Sequence, residues 1–341
     1  MVAVKRIYAS TRPLGIEQFF VNCRYGDTVE DMEWIPKDRY AEFDLMSSSP
    51  WRVAKALYSF ASWLRANGIT IVHVHHRRLA AILGAYGRFS NYRVLYTGQL
   101  TYNFNPLFFF AKVDAATAVT DSVAQNMRAT MRVSNIEVIS NPVDFLAECP
   151  LIAMETQRAV CIGRLESVKG HEKLLRAWAI LVGRGHKCQL SLVGEGTLSV
   201  ELRQLAIQLG LEEYVEFRGF HANVDSEIER ARFAVLASKV EGQGIVVLEC
   251  AARGRASLLT DVDGLRDCLP NSRNLPNGIQ YGNIEGLADA LEAWVAYPDK
   301  VIEEGRRFFE FLKAHASSEI VAERYAEVYR NLAVGSMERH P

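Results

Sequence analysis

The stretch from Trp51 to Val113 contains no Asp or Glu. Its eight basic residues (Arg52, Lys55, Arg65, Arg77, Arg78, Arg88, Arg93, Lys112) therefore stand unbalanced in a chain whose formal net charge is only −1. The same stretch carries Trp51, Tyr58, Phe60, Trp63 and the run Leu107-Phe108-Phe109-Phe110. A one-signed, aromatic-rich region suits lipid headgroups or a phosphorylated acceptor; it equally suits buried aromatics beside a solvated basic face. The six cysteines (Cys23, Cys149, Cys161, Cys188, Cys250, Cys268) form no CxxC pair and no Cys/His cluster, which argues against zinc and against a disulfide framework. No segment approaches the ~20 apolar residues of a membrane span, and Met1–Arg6 lacks the apolar stretch of a signal peptide. These absences predict a cytoplasmic protein, at most peripheral on the inner face of the cell membrane. The balanced overall charge gives no reason to expect a nucleic-acid partner.

Hydrophobic residues make up 49% of the 341 positions, enough for two cores of roughly 150 residues each. Short apolar runs alternate with helical patterns, the mark of βαβ units and parallel sheets. In the first half, 69–74, 93–97, 116–120 and 137–139 read as strands, with amphipathic segments near 51–66 and 121–131. Asn141-Pro142 breaks the rhythm, and residues 149–157 show no periodicity. In the second half, 159–162, 188–193, 215–217, 233–236, 256–259 and 278–281 read as strands. Helices are expected near 170–183, 198–209, 244–253, 284–296, 299–313 and 317–333. The expected fold is α/β: two Rossmann-like domains, 1–153 and 154–315, facing across a cleft, then a tail 316–341. Ligands in such sheets bind at the carboxyl ends of the strands.

Four segments of the second half place chemistry at strand ends. Gly163-Arg164-Leu165-Glu166-Ser167-Val168-Lys169-Gly170 sets two cations before a helix; they suit a diphosphate, or are simply solvated. Gly194-Glu195-Gly196 lets backbone approach a ligand, or is an ordinary βα turn; no Gly-Lys-Ser/Thr follows to make a Walker loop. The strongest is Ser238-Lys239-Val240-Glu241-Gly242-Gln243-Gly244-Ile245, entering an apolar helix that carries Glu249. Amides of Gly242, Gln243, Gly244 and Ile245 at the positive helix end suit phosphate or sugar oxygens, and a half-apolar site for Glu249 calls for hydroxyl donors. Both glutamates could instead be caps or ion-pair partners. Asp261-Val262-Asp263 resembles a metal-binding pair, but reads better as a capped βα turn because no third hard ligand lies near it in sequence.

Together these residues resemble family-4 glycosyltransferases of the GT-B fold. Arg164 and Lys169, the Gly-Glu-Gly turn, Glu216-Phe217-Arg218-Gly219, and Glu241-Gly-Gln-Gly with Glu249 eight positions on carry the likeness. So do the segment from Asp114 to Ser122 and Ile139-Ser-Asn141-Pro-Val-Asp144. The resemblance implies retaining transfer of a hexose or N-acetylhexosamine from a nucleotide-diphosphate sugar, with UDP the expected nucleotide and no metal or other cofactor. The implied acceptor is a glycan, with a lipid-diphosphate carrier suggested by family habit and by the acid-free stretch 51–113, and the pathway surface polysaccharide biosynthesis. Arg164 and Lys169 would neutralise the diphosphate, Glu241 would grip the transferred sugar, Glu249 the ribose, and Arg218-Gly219-Phe220 would flank the base. A last helix would cross back to the first domain.

Two departures stand out. The family's paired glycines in the first loop are reduced to Gly15, and its histidine after the strand at 94–97 is replaced by Gly98-Gln99. His73, His75 or His76, before Arg77-Arg78, could substitute on the acceptor side; packing or an acceptor-phosphate contact are the alternatives. The rivals are a nucleotide-sugar epimerase or synthase on the same plan and a non-catalytic partner subunit. A dinucleotide-dependent dehydrogenase would place GxGxxG directly after a first strand, where Tyr8-Ala-Ser-Thr-Arg-Pro13 stands.

Overall fold

The computed structural model describes residues 2–23, 34–87, 91–104, 113–131, 133, 135–152, 157–270 and 276–337. The chain divides into two compact units: Met1–Pro142 with Ser318–Pro341, and Val143–Ser317.

Unit 1 opens with helix α1 (Val2–Thr11) and a 3-10 turn (Arg12–Leu14), where a dinucleotide-type first loop would need a strand. Ala3, Ile7 and Thr11 are buried at four-residue spacing, a helical stripe, and the Thr11 hydroxyl donates to Ile7 O at 2.7 Å. Gly15, the glycine that remains of the expected pair, closes the 3-10 turn in the left-handed region at φ 76°. β1 (Phe20–Asn22) and β2 (Tyr40–Glu42) pair as a small parallel ladder. Then come α2 (Pro50–Ala66), β3 (Ile71–Val74), α3 (Arg77–Gly87), β4 (Arg93–Gly98), β5 (Ala115–Ala118), α4 (Asp121–Thr130) and β6 (Ile136–Val138); β3 to β6 form a parallel sheet in chain order.

Unit 2 runs β7 (Arg158–Ile162), α5 (His171–Gly183), β8 (Gln189–Val193), α6 (Ser199–Gln208), β9 (Val215–Gly219), α7 (Asp225–Glu229), β10 (Phe233–Leu236), α8 (Ile245–Ala252), β11 (Ala256–Leu259), α9 (Asp263–Arg266), α10 (Ile284–Ala296) and α11 (Pro298–Ala316). Its sheet is wholly parallel in the order β11-β10-β7-β8-β9. β10 and β11 are buried at every position, as strands covered on both faces must be. The strand expected at 278–281 reduces to a single bridge between Ile279 and Thr260, because Gly278 and Gly282 flank it in left-handed backbone at φ 71° and 88°.

The chain leaves unit 1 at Pro142, upstream of the expected 153/154 boundary. Val143 N–H donates to Ala316 O at 2.9 Å, and Phe145 meets Phe309 edge-on at 5.5 Å, so the segment after Pro142 packs within unit 2. Residues 153–156 lie outside the described residues. Ser317, extended at ψ 143°, separates α11 from α12 (Ser318–Met337), which returns to unit 1. There Val321, Tyr325 and Val328 of α12 pack with Ile7, Leu95 and Ile139 on one face of the sheet. Tyr96, one step along β4, points to the other face among Ala80, Val123 and Met127.

The acid-free stretch resolves unevenly. Trp51 and Tyr58 are exposed on α2 (86% and 70%), together with Arg52, Lys55 and Arg65. Phe60 is buried, and Trp63 meets Phe19 at 5.7 Å and Phe43 at 5.8 Å. Arg93 pairs with Asp114 at 2.8 Å. Arg88, Leu107–Phe110 and Lys112 lie outside the described residues.

Candidate functional site

In unit 2 the chain fills β7, β8 and β9 to one side and then crosses to β10 and β11 on the other. The order therefore reverses between β7 and β10, and the carboxyl ends of those two strands bound the crevice where doubly wound sheets hold ligands. Two of the sequence motifs end there.

After β7, Gly163 N–H donates to Val193 O (2.9 Å) and Leu165 N–H to Glu195 O (2.9 Å), which sews the first loop to the turn after β8. This contact explains the Gly-Glu-Gly turn. A Cβ on Gly194, at φ 138°, would fall 2.1 Å from Gly163 O, and one on Gly196 2.5 Å from Leu165 O. The approach these glycines permit is thus to neighbouring backbone. Glu166 adds a tie that sequence reasoning missed: its carboxylate accepts from Thr197 N–H (3.1 Å) and from the Thr197 hydroxyl (2.8 Å). Those bonds hold its pKa below the ordinary range.

A 3-10 turn over Ser167–Lys169 ends at Gly170 (φ 69°), whose missing Cβ would lie 1.9 Å from Ala237 O at the end of β10. Lys239 N–H donates back to Val168 O at 2.8 Å. The two loops are held together, and Lys169 Nζ forms an ion pair with Glu241 Oε1. Glu241 accepts a second hydrogen bond from Ser238 Oγ at 3.0 Å. The pair is mostly shielded, with side-chain exposures of 25% and 10%. Beyond it, Gly242 and Gln243 are buried, and Gly244 (φ 69°) opens α8. Gly264 must lack a side chain because its Cβ would sit 2.0 Å from Gly242 O. Cys268 Sγ lies 3.0 Å from Gln243 O, bracing the loop from below. Glu249 is half-buried on α8, where Val247, Leu248, Cys250, Ala251 and Ala252 are fully buried.

Arg164 is exposed and forms no ion pair among the described residues. Arg218 is engaged with Glu216 (2.6 Å) and with the buried Glu227 (3.0 Å), so its side chain serves β9 and α7. Gly219, at φ 72°, accepts from Gly194 N–H through its carbonyl (2.7 Å), and Phe220 beyond it is 73% exposed. Asp261 and Asp263 both bond Arg266, at 2.7 and 3.5 Å, as a capped turn. Gly15, His75, His76 and Arg77 belong to unit 1. Arg77 is buried, stacks on Tyr102 (5.2 Å) and donates to Asn103 O at 3.0 Å. His171, the first residue of α5, is a buried imidazole that sequence reasoning passed over; burial pushes its pKa down to about 4.

Two parallel α/β units, with the last helix returning to the first, and a lysine–carboxylate pair at the second unit's switch point, define the GT-B class. Two family profiles match the chain: Glycosyltransferase Family 4 over residues 4–145 and Glycosyl transferases group 1 over residues 156–296. The chain belongs to the family-4 glycosyltransferases. An uncharacterized glycosyltransferase of Haemophilus influenzae is 26% identical over 196 residues, 56% of this chain and 54% of its own length. The N-acetylgalactosamine-N,N'-diacetylbacillosaminyl-diphospho-undecaprenol 4-alpha-N-acetylgalactosaminyltransferase of Campylobacter jejuni is 38% identical over 112 residues, 32% of this chain and 29% of its own. The chain thus spans about half or less of the length of these curated relatives. The crystal structure of Anabaena HepE in complex with UDP shares the fold, with a TM-score of 0.78 at 15% identity over 97% of this chain and 95% of that one.

Proposed function

We propose that this chain is a retaining glycosyltransferase that moves a hexose or N-acetylhexosamine from a UDP-sugar to a lipid-linked glycan acceptor in surface polysaccharide biosynthesis. The observation that carries the reading is the Lys169–Glu241 pair, backed by Ser238, at the switch point between β7 and β10. Lys169 neutralises the diphosphate, with Arg164 as the second cation, and both stabilise the charge that develops on the departing β-phosphate, so no metal is required. Glu241 accepts hydroxyl protons of the transferred sugar. The loop Gly242–Ile245 and the start of α8 receive the phosphate and sugar oxygens, and Glu249 takes the ribose. In the reaction the C1–O bond to phosphate breaks with its electron pair leaving on the phosphate oxygen. The acceptor oxygen bonds C1 on the same face, and its proton passes to the leaving phosphate. His75, His76 and Arg77 serve the acceptor side in unit 1. The exposed stripe of Trp51, Arg52, Lys55, Tyr58 and Arg65 on α2 suits an anionic membrane surface. No helix among the described residues is long and apolar enough to cross a membrane. The UDP of the Anabaena structure and the diphospho-undecaprenol named for the Campylobacter relative support donor and carrier.

The test is a melting-temperature titration with UDP, GDP and UDP-sugars in the presence of chelator. UDP and one UDP-sugar should stabilise the parent, and Lys169→Ala should lower turnover by about 10²- to 10³-fold. Turnover unchanged in Lys169→Ala would remove the diphosphate assignment; no response to any nucleotide would favour a non-catalytic partner subunit.

A further inference from the structure

The two loops of the unit 2 site meet at one peptide. β10 ends at Leu236, and the chain continues through Ala237 and Ser238 into the loop that carries Glu241. Lys239 N–H, on the peptide that joins Ser238 to Lys239, donates to Val168 O at 2.8 Å, next to Lys169. The carbonyl of that same peptide, Ser238 O, accepts from the Thr260 hydroxyl at 2.7 Å. The peptide plane is therefore pinned at both edges. Its amide edge holds the Lys169 loop, and its carbonyl edge is held by the residue that follows β11. Ser238 Oγ also donates to Glu241, so the residue that carries the pinned carbonyl orients the carboxylate as well.

Main-chain pairing and packing at position 260 do not call for a hydroxyl. Thr260 is 3% exposed and continues β11, whose four residues are all buried. Its amide completes the ladder by donating to Leu236 O at 3.0 Å, and Asp261 N–H donates to Ile279 O at 2.7 Å. Leu236 O is thus satisfied by main chain, and it lies 3.4 Å from the Thr260 hydroxyl, longer than an ordinary hydroxyl bond. Valine has the same shape and suits extended backbone equally well. What threonine adds is the bond to Ser238 O. Ser238 is itself buried, so a carbonyl deprived of that donor would be stranded away from water, a state that folded chains avoid. The peptide would turn to find another donor, and the turn would lift Lys239 N–H from Val168 O.

We infer that Thr260 is a positioning residue for donor binding: its hydroxyl fixes the peptide between Ser238 and Lys239 and, through it, the placement of Lys169 against Glu241. This role rests on the transferase reading for what those two side chains hold, and adds to it a residue that touches neither ligand nor pair. Losing the hydroxyl leaves every ligand-contacting group in place chemically and misplaces two of them together.

The experiment compares the parent with Thr260→Val, Thr260→Ala and Thr260→Ser. Valine and alanine remove the hydroxyl, with and without a methyl in its place; serine keeps it. Dissociation constants for UDP, UDP-glucose and UDP-N-acetylglucosamine are measured by calorimetry well below each variant's melting temperature. The UDP-sugar that the parent binds should weaken by about tenfold in Thr260→Val and Thr260→Ala, and by no more than about twofold in Thr260→Ser. A double replacement separates positioning from stability alone. Glu241→Gln should weaken that UDP-sugar by about tenfold or more in the parent, but by less than about threefold in Thr260→Val, where the carboxylate is already misplaced. Hydrogen exchange should rise at 167–170 and 238–241 together in Thr260→Val and stay at the parent's rate in Thr260→Ser. The positioning role is overturned if folded Thr260→Val binds the UDP-sugar as the parent does, if serine fails to restore binding, or if Glu241→Gln costs the same in both backgrounds. A parent that binds neither UDP nor a UDP-sugar would instead sink the transferase reading. Exchange at the two loops would still decide the role of Thr260, and unchanged rates in Thr260→Val would overturn it.

Discussion

In unit 2 the strand ends meet through backbone. Gly163 bonds Val193, Leu165 bonds Glu195, Lys239 bonds Val168, and Gly194, Gly196, Gly170 and Gly264 are each pressed against a neighbouring carbonyl. In unit 1 the corresponding ends of β3 and β4 are joined by side chains, through the His73, Thr97, Thr117, Tyr325 and Tyr329 network. A backbone junction fixes loop positions and tolerates no added atom; a side-chain junction tolerates atoms but depends on protonation and on a helix that arrives from the far end of the chain. The two units should therefore fail in different ways.

The sharpest separation is steric. Gly170→Ala would push a methyl to 1.9 Å from Ala237 O, a carbonyl fixed at the end of β10, in left-handed backbone. Gly68 of unit 1 has a similar φ of 65° but nothing within 4 Å of its Cβ position. Gly68→Ala should cost about 1 kcal/mol, the conformational penalty alone. Gly170→Ala should exceed about 4 kcal/mol and lower the melting temperature by roughly 10 °C or more. Equal shifts for the two variants would show that the backbone junction yields, and the contrast between the units would fail.

Acid should reverse the order. His73 and His75 of unit 1 are held neutral by burial, His73 with a pKa well below its ordinary value and His75 near 4; among the described residues of unit 2 His171 is such a group, also near 4. The unfolded chain takes up these protons near pH 6.5 while the native state refuses them. Stability from each group is present above that pH and is lost as pH falls toward 4, approaching on the order of 3 kcal/mol for a group shifted this far. Unit 1, with two coupled imidazoles, should loosen first. Hydrogen exchange at pH 7, 5.5 and 4.5 should show protection falling in β3 and β4 before β7 and β10; the opposite order would break the comparison.

The same contrast explains what could be read from sequence. Glu241, its glycines and Glu249 fall within nine residues, and Arg164 to Gly170 within seven, so spacing alone displayed the unit 2 motifs. The clashes that require Gly170 and Gly264 involve Ala237 and Gly242, yet the glycines themselves were visible signals. The role of Glu166 was missed because its partner, Thr197, lies 31 positions away and becomes a neighbour only when strand ends align. Unit 1 was harder. His73 meets Tyr329 across 256 positions, a pairing no local pattern contains. The start of the chain, rich in Val, Ile and Tyr, suits a strand by composition; it is helical because its Ala3–Ile7–Thr11 stripe is buried, with Ile7 packed against α12.

The smallest effect tests the side-chain junction alone. Tyr329→Phe keeps the ring, which packs 5.8 Å from His73 and 6.1 Å from Tyr325, and removes only the hydroxyl 2.8 Å from His73 Nδ1. The imidazole nitrogen is then left buried without a partner, which should cost about 1–2 kcal/mol. Tyr325→Phe should cost less, because its hydroxyl reaches Thr97 at a longer 3.3 Å, and Thr97 keeps both Thr117 and His73. If the network acts as one unit, the double replacement should cost less than the sum of the singles, since the second cut falls on a chain already broken. Neither change should alter nucleotide affinity at the unit 2 site, whose loops are held by main-chain contacts. Strict additivity, or a Tyr325→Phe penalty larger than that of Tyr329→Phe, would mean that α12 is held by apolar packing among Val321, Val328 and Leu95, with His73 a bystander.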